Sequence, residues 1–157
     1  MTSRLVSLLV APLVAGCVGS PGPDPAPDRA IASRETPRGT ASIELVVEPE
    51  EIGLDDTVSI RLVNRGEVAL TTGLPFGVER REGNRWVEVP WPENVAFPLI
   101  GIVLRPGGST EPQEWPDFGI QVEPGLYRAA KSATYEDPED EDFGLVARAE
   151  FRVRASG

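Results

Sequence analysis

Side chains able to do covalent or acid–base chemistry are scarce in this sequence of 157 residues. It contains one Cys, Cys17, and no His, so a serine or threonine nucleophile has no imidazole to activate it. Lys131 is the single lysine and the only amine side chain that can act as a base instead. Carboxylate pairs carry little weight as a glycosidase signal, because 25 acidic residues produce such pairs by chance. We therefore predict a protein without catalytic activity and without a cofactor.

The densest group of potential metal ligands is the segment from Glu136 to Asp142, in which every residue except Pro138 is a carboxylate. Hard oxygen ligands of this kind suit Ca²⁺, which takes six to eight of them. Asp137, Asp140 and Asp142 are the candidate ligands, although the segment lacks the glycine-containing spacing of a calcium loop. The interpretation that we favour is a solvated loop between two strands, whose carboxylates repel one another.

Cys17 ends a short apolar segment at the amino terminus. A positive start is followed by roughly eleven mostly apolar residues, too few at 1.5 Å each to cross a hydrocarbon core of ~30 Å as a helix. This pattern predicts an export signal, and Leu13-Val14-Ala15-Gly16-Cys17 resembles the lipobox of bacterial lipoprotein signals. The resemblance implies that residues 1–16 are removed and that the Cys17 thiol receives a diacylglycerol. The alternative is a plain secretory signal with an incidental Cys.

Residues 17–40 are rich in proline, with five prolines between Cys17 and Thr40. They contain too few apolar residues to build a core, so we predict a disordered, extended tether. The net charge of −10 argues against nucleic acid as a partner. We expect the membrane, reached through lipid on Cys17, to be one partner, and the extracytoplasmic face of the cell membrane to be the location.

Residues 41–155 show the period-two alternation of apolar and polar residues that is typical of β-strands. The clearest case runs from Leu145 to Val153, where apolar residues alternate with mostly charged ones. Turns rich in Gly and Pro separate these segments, and none of them shows helical spacing. The pattern predicts one all-β domain, a sandwich of about 7–9 strands. A small closed barrel is the alternative.

A series of landmarks runs through this domain: Val58-Ser-Ile-Arg-Leu-Val-Asn64, Gly73-Leu-Pro-Phe76, Trp86-Val-Glu-Val89, Leu104-Arg-Pro106-Gly107, Pro124-Gly125-Leu-Tyr127 and Glu150-Phe151-Arg-Val153. Their order resembles a bacterial immunoglobulin-like domain family of exported proteins and lipoproteins. The resemblance covers about residues 42 to 154 and implies an immunoglobulin-like β-sandwich, with no catalytic residues to transfer. The Pro-Gly-x-Tyr motif is also similar to a bacterial proteinase-inhibitor family of related shape.

Trp91 is the candidate partner-binding residue. Two prolines flank it in Val89-Pro90-Trp91-Pro92, and they restrict the backbone of what reads as an irregular loop. The alternative is that Trp91, like Trp86 and Trp115, packs against the end of the core. Tyr127, two residues after a Pro-Gly pair, resembles a tyrosine corner, in which the hydroxyl bonds to nearby backbone.

These observations predict a non-catalytic, lipid-anchored, extracytoplasmic immunoglobulin-like module for binding or structural support at the cell envelope. We expect its partner to be an envelope protein or polymer. The alternative function is a protease inhibitor that presents a loop such as Val89 to Pro98 to the cleft of an enzyme.

Overall fold

Strands supply the regular secondary structure of the described residues. The computed structural model describes residues 30–117, 119–137 and 143–155, and none of these lies in a helix, so none forms a helix able to span a membrane. The described strands are β1 (Ile31–Thr36), β2 (Gly39–Glu48), β3 (Glu51–Ile52), β4 (Val58–Asn64), β5 (Leu70–Thr72), β6 (Gly77–Glu82), β7 (Arg85–Glu88), β8 (Ile102–Leu104), β9 (Gln113–Trp115), β10 (Gly125–Tyr135) and β11 (Phe143–Val153).

The strands pack as a sandwich of two sheets, which confirms the predicted fold. The smaller sheet has the order β1-β2-β4-β9, and its pairings are antiparallel. The larger sheet has the order β3-β11-β10-β5-β8, with the hairpin of β6 and β7 also attached to β10. The long hairpin of β10 and β11 forms the centre of the larger sheet, because each of these strands is 11 residues long and they pair along their whole length.

The apolar positions of the alternating segments face the space between the sheets. On β11, the odd-numbered residues from Phe143 to Val153 are buried, while the residues between them reach solvent. Phe151 is 2% exposed, and its ring stacks on that of Tyr127 with centroids 5.7 Å apart. Trp115 packs against both rings. Burying a side chain of this size contributes about 1.5–3 kcal/mol, so this aromatic cluster is a main source of the attraction between the sheets.

The folded domain begins earlier than the predicted boundary at Ala41. β1 lies inside the segment assigned to the tether, and it pairs with β2 from Ile31–Glu44 to Thr36–Gly39. No side chain of β1 is fully buried, and Ala32 is its one residue that packs partly against the core, so β1 pairs with β2 at the edge of the sheet without an alternating apolar pattern. The predicted boundary is set by where the alternation of apolar and polar residues begins. A mostly polar edge strand such as β1 does not show this alternation. Residues 17–29 of the predicted tether lie outside the described residues.

The described residues form more strands than the 7–9 that the sequence predicts. β1 is one addition, and β3 is another, with only two residues, Glu51 and Ile52. β3 pairs in parallel with the end of β11. Strands this short contain too few residues for alternation to be recognised.

One buried amide fixes β8, an outer strand of the larger sheet, to the smaller sheet. Asn64 ends β4 and is fully buried, and its Nδ2 donates to the carbonyl oxygens of Val68 and Leu104, each at 2.8 Å. Leu104 is the last residue of β8.

Gly66 lies in the turn after β4, where a Cβ atom would be 2.3 Å from the carbonyl oxygen of Thr40. The turn therefore requires glycine at this position.

Candidate functional site

Three exposed apolar side chains lie close together in the sequence where the loop after β7 enters β8. Leu99 is fully exposed, Val103 is 64% exposed and Ile100 is 50% exposed. The neighbouring Leu104 faces the core and is 2% exposed, so Val103 lies on the outer face of the sheet. We refer to Leu99, Ile100 and Val103 as the apolar edge.

β8 is an end strand of the larger sheet. It pairs with β5 through Leu70–Leu104, Thr71–Val103 and Thr72–Ile102, and no strand among the described residues lies on its other side. Backbone groups of an end strand that point away from the sheet are open to pairing with a further strand. Exposed apolar side chains on such an edge are typical of a site of protein interaction.

Trp91, the predicted partner-binding residue, holds this loop in place. Its ring meets those of Phe76 and Phe97 edge to face, with centroids 5.1 Å apart in each case. Its Nε1 donates to the carbonyl oxygen of Phe76 at 3.1 Å, and the side chain is half-buried. These contacts match the packing role that the sequence offered as the alternative. Direct contact between Trp91 and a partner stays a prediction.

Backbone hydrogen bonds restrict the same loop further. The amide of Val89 donates to the carbonyl oxygen of Val78 at 2.8 Å, which fastens the start of the loop to β6. The amide of Val95 donates to the carbonyl oxygen of Pro92 at 2.9 Å, which closes a turn. A loop held in this way loses little conformational entropy when it binds.

Sequence reasoning misses the apolar edge. Ile100, Ile102 and Leu104 fit the alternation of a strand, and a short apolar run between turns is equally typical of a strand buried on both faces. The available signal is that apolar residues also occupy the positions between them, at Val103 and before Ile100 at Leu99. A strand that is buried on only one face does not require apolar residues at these intervening positions.

Asp137 differs from the prediction made for the acidic segment. It is a buried carboxylate, which accepts a hydrogen bond from the Tyr135 hydroxyl at 2.8 Å and pairs with Nε of Arg38 at 2.6 Å. Burial and this hydrogen bond raise the pKa of Tyr135. Asp140 and Asp142, the other two candidate calcium ligands, lie outside the described residues. Within the described ranges, no group of three or more Cys, Asp or Glu side chains is placed to hold a metal ion.

Lys131 is buried between the sheets and is only 3% exposed. Its Nζ donates to the carbonyl oxygens of Leu74 at 2.7 Å and Pro75 at 3.2 Å, and to Oε1 of Gln113 at 3.1 Å. Burial lowers the pKa of Lys131 to about 8. Because these contacts use the ammonium group inside the fold, Lys131 is not placed to activate a nucleophile for a substrate.

Of the remaining aromatic residues, Tyr127 and Trp115 lie where the sequence suggests and Trp86 does not. Tyr127 forms the predicted tyrosine corner, because its hydroxyl donates to the carbonyl oxygen of Glu123 at 2.7 Å. Trp115 lies in the core, as expected, and is 1% exposed. Trp86 does not: it packs half-buried against Arg128, whose guanidinium carbon is 4.4 Å from the centroid of its ring. Arginine covers the apolar surface that the sequence suggested the core would cover.

The sequence from residue 39 to residue 145 matches the family model of the bacterial Ig-like domain. The chain belongs to this family. No curated protein matches the sequence of this bacterial Ig-like domain protein. The family match covers β2 to the start of β11 and includes the apolar edge, but it does not include β1. Ig-like domains of this kind are typically non-catalytic, so exposed edges and loops are where function is to be sought.

Proposed function

We propose that this bacterial Ig-like domain protein is a lipid-anchored, extracytoplasmic, non-catalytic module that binds another protein at the cell envelope. The observation that carries the proposal is the position of Cys17. It is the only Cys of the chain, and it follows Leu13-Val14-Ala15-Gly16 in the pattern of a lipobox. Two or more acyl chains at one residue anchor a protein stably, whereas a single chain is marginal.

The side chains of the described domain support a binding role over a catalytic one. The single lysine of the chain, Lys131, donates its hydrogen bonds inside the core. Asp137, the one described candidate for a calcium ligand, pairs with Arg38. What the described part of the sandwich presents to solvent is the outer faces of its sheets, its edges and its loops.

The surface that fits a protein partner is the apolar edge. Leu99, Ile100 and Val103 remain exposed, although covering apolar area is favourable by roughly 25 cal/mol per Å². Trp91 fixes the loop that presents Leu99, which reduces the entropy that binding would cost. A polymer of sugars would be better matched by exposed aromatic rings than by these aliphatic side chains.

Labelling of growing cells with radioactive palmitate tests the anchoring. We expect the wild-type chain and the control variant Val18→Ala to take up the label and to sediment with membranes. Cys17→Ala should take up no label and should keep residues 1–16, because the acyl acceptor is missing. Equal labelling of Cys17→Ala and the wild type would refute acylation at Cys17.

Protease inhibition is a second candidate function, and the observation that favours it is the fully exposed Leu99 on a loop held by Trp91. An inhibitor needs such a restrained loop with one projecting side chain. A panel of purified proteases tests this: stoichiometric inhibition should be lost in Leu99→Asp and kept in Val146→Asp, which places the same charge on another exposed site. Absence of inhibition across the panel would remove this candidate.

A further inference from the structure

β1 is an outer strand that places little of its own side-chain surface in the core. Of the other outer strands among the described residues, β3, β8 and β9 each bury one apolar side chain, Ile52, Leu104 and Trp115, and β7 carries the half-buried ring of Trp86. In β1 the only residue packed partly against the core is Ala32. Detaching β1 from β2 therefore removes much less of its own apolar surface from the core than detaching β9 would.

β1 also lies outside the part of the chain that matches the family. The match begins at residue 39, which is the first residue of β2. β1 is therefore an addition to the matched domain, and it stands in the sequence between that domain and Cys17. Whatever pulls on Cys17 acts on the domain through β1.

The side-chain contacts of β1 lie towards the turn that leads into β2. They include the hydrogen bond between Oγ of Ser33 and Oγ of Ser42 at 2.7 Å, the guanidinium carbon of Arg34 at 4.2 Å from the ring centroid of Phe143, and the hydrogen bond from Thr40 to Glu35 at 3.0 Å. The turn itself is fastened by Arg38, whose Nε lies 2.6 Å from the buried carboxylate of Asp137.

The opposite end of β1, which leads back to Cys17, has fewer contacts. Its first residue, Ile31, is 50% exposed. The carbonyl oxygen of Ala30 accepts a hydrogen bond from the amide of Leu45 at 2.7 Å, and Ala30 packs partly against the core. A pull from the side of Cys17 acts on this end first and loads the hydrogen bonds between β1 and β2 one after another.

We propose that β1 is a strap that peels from β2, beginning at Ala30, while the rest of the sandwich stays folded. Peeling stops at the turn, where Arg38 and Asp137 hold the chain. Release of the six residues of β1 adds about 20 Å to the connection between Cys17 and the domain, at ~3.3 Å for each extended residue. The opening goes beyond the proposed function, and only its use in lengthening that connection rests on the proposed anchoring at Cys17.

Hydrogen exchange of the full-length protein in detergent, followed at single residues by NMR, tests the opening within one strand. The amide of Leu45 donates to β1, and the hydrogen bonds of an antiparallel strand alternate between its two sides. The amide of Ile43 therefore also faces β1, whereas those of Glu44 and Val46 face β4. Neighbouring residues of β2 thus report separately on its two pairings.

We expect the amides of Leu45 and Ile43 to exchange at least about tenfold faster than those of Glu44 and Val46, after correction for their rates in an unfolded chain. The reason is that peeling of β1 leaves the pairing of β2 with β4 intact. Among the amides that face β1, exchange should slow from Leu45 towards Ala41, because opening begins at the end of β1 that leads to Cys17. Equal rates on the two sides of β2, or faster exchange at Ala41 than at Leu45, would overturn the proposal.

A reversible cross-link supplies the matched control. Ser33→Cys and Ser42→Cys, made together with Cys17→Ser, leave two thiols in the chain, at positions directly opposite each other in the pairing of β1 with β2. Oxidation should slow exchange at Ile43 to the rate of Glu44, and reduction should restore the faster rate. Exchange at Ile43 that oxidation leaves unchanged would show that it does not arise from opening of β1. This protein has no acyl acceptor at residue 17, so the result is independent of the anchoring that the palmitate label tests.

Discussion

Lys131 gives the stability of this domain a dependence on pH that can be traced to one residue. Its pKa is about 8 in the folded chain against an ordinary value of 10.5, because burial disfavours the charged form. Between these two pH values the unfolded chain binds the proton and the folded chain does not. The contribution of Lys131 to the free energy of unfolding therefore rises as the pH increases through this window.

The variant Lys131→Met isolates this effect, since Met has a similar length and does not titrate. We expect the free energy of unfolding of the wild type to increase relative to that of Lys131→Met between about pH 8 and about pH 10. Urea unfolding followed at several pH values measures it. Parallel pH profiles for the two proteins would show that burial does not perturb the pKa of Lys131.

Phe151 is a residue whose role the sequence predicts correctly. It occupies the apolar face of the alternation in β11, and it is buried against Tyr127 and Trp115. Phe151→Ala should lower the free energy of unfolding by about 3–5 kcal/mol, because it removes a large buried ring and leaves a cavity. Val146→Ala, an exposed position of the same strand, should change it by less than about 0.5 kcal/mol. A small effect of Phe151→Ala in denaturant unfolding would contradict the packing described for this face.

At the scale of the elements, two hairpins are joined by the pair of Arg38 and Asp137. Arg38 lies in the turn between β1 and β2, and Asp137 follows β10. Asp137→Ala should destabilise the fold by roughly 1.5–3 kcal/mol, because it removes hydrogen bonds to a charged, buried group. The neighbouring Glu136 is exposed, so Glu136→Ala should have little effect. Equal, small effects of both substitutions in thermal or urea unfolding would indicate that Asp137 is a solvated loop residue, as the sequence suggests.

The same elements show where sequence reasoning succeeds and where it fails. Alternation identifies β2, β4 and β11, because in each strand the buried residues of one face mostly alternate with less buried residues of the other. It misses β1, which pairs with β2 along its whole length and has no fully buried side chain. It also misses the apolar edge, since apolar composition alone does not tell whether a neighbouring strand covers β8. Whether β1 forms and whether β8 is covered both depend on pairing between strands that are far apart in the sequence. A single sequence does not reveal which strands pair.

At the scale of the whole molecule, fold and location depend on different parts of the chain. The two-sheet sandwich and the family match concern residues 30–155 and 39–145. The proposed anchoring depends on Cys17, which the described residues do not include. Its support is chemical: the only thiol of the chain stands where acylation requires it, after two small residues, Ala15 and Gly16.

Intact-mass spectrometry of the protein extracted from membranes of its host is the decisive test of lipid anchoring at Cys17. We predict a chain that lacks residues 1–16, begins at Cys17 and carries the mass of a diacylglycerol on that residue. Fragmentation should locate the added mass on Cys17, because no other thiol is present in the chain. A chain that retains Met1, or one that begins near Cys17 with an unmodified thiol and is found in the soluble fraction, would show that Cys17 is not the lipid anchor.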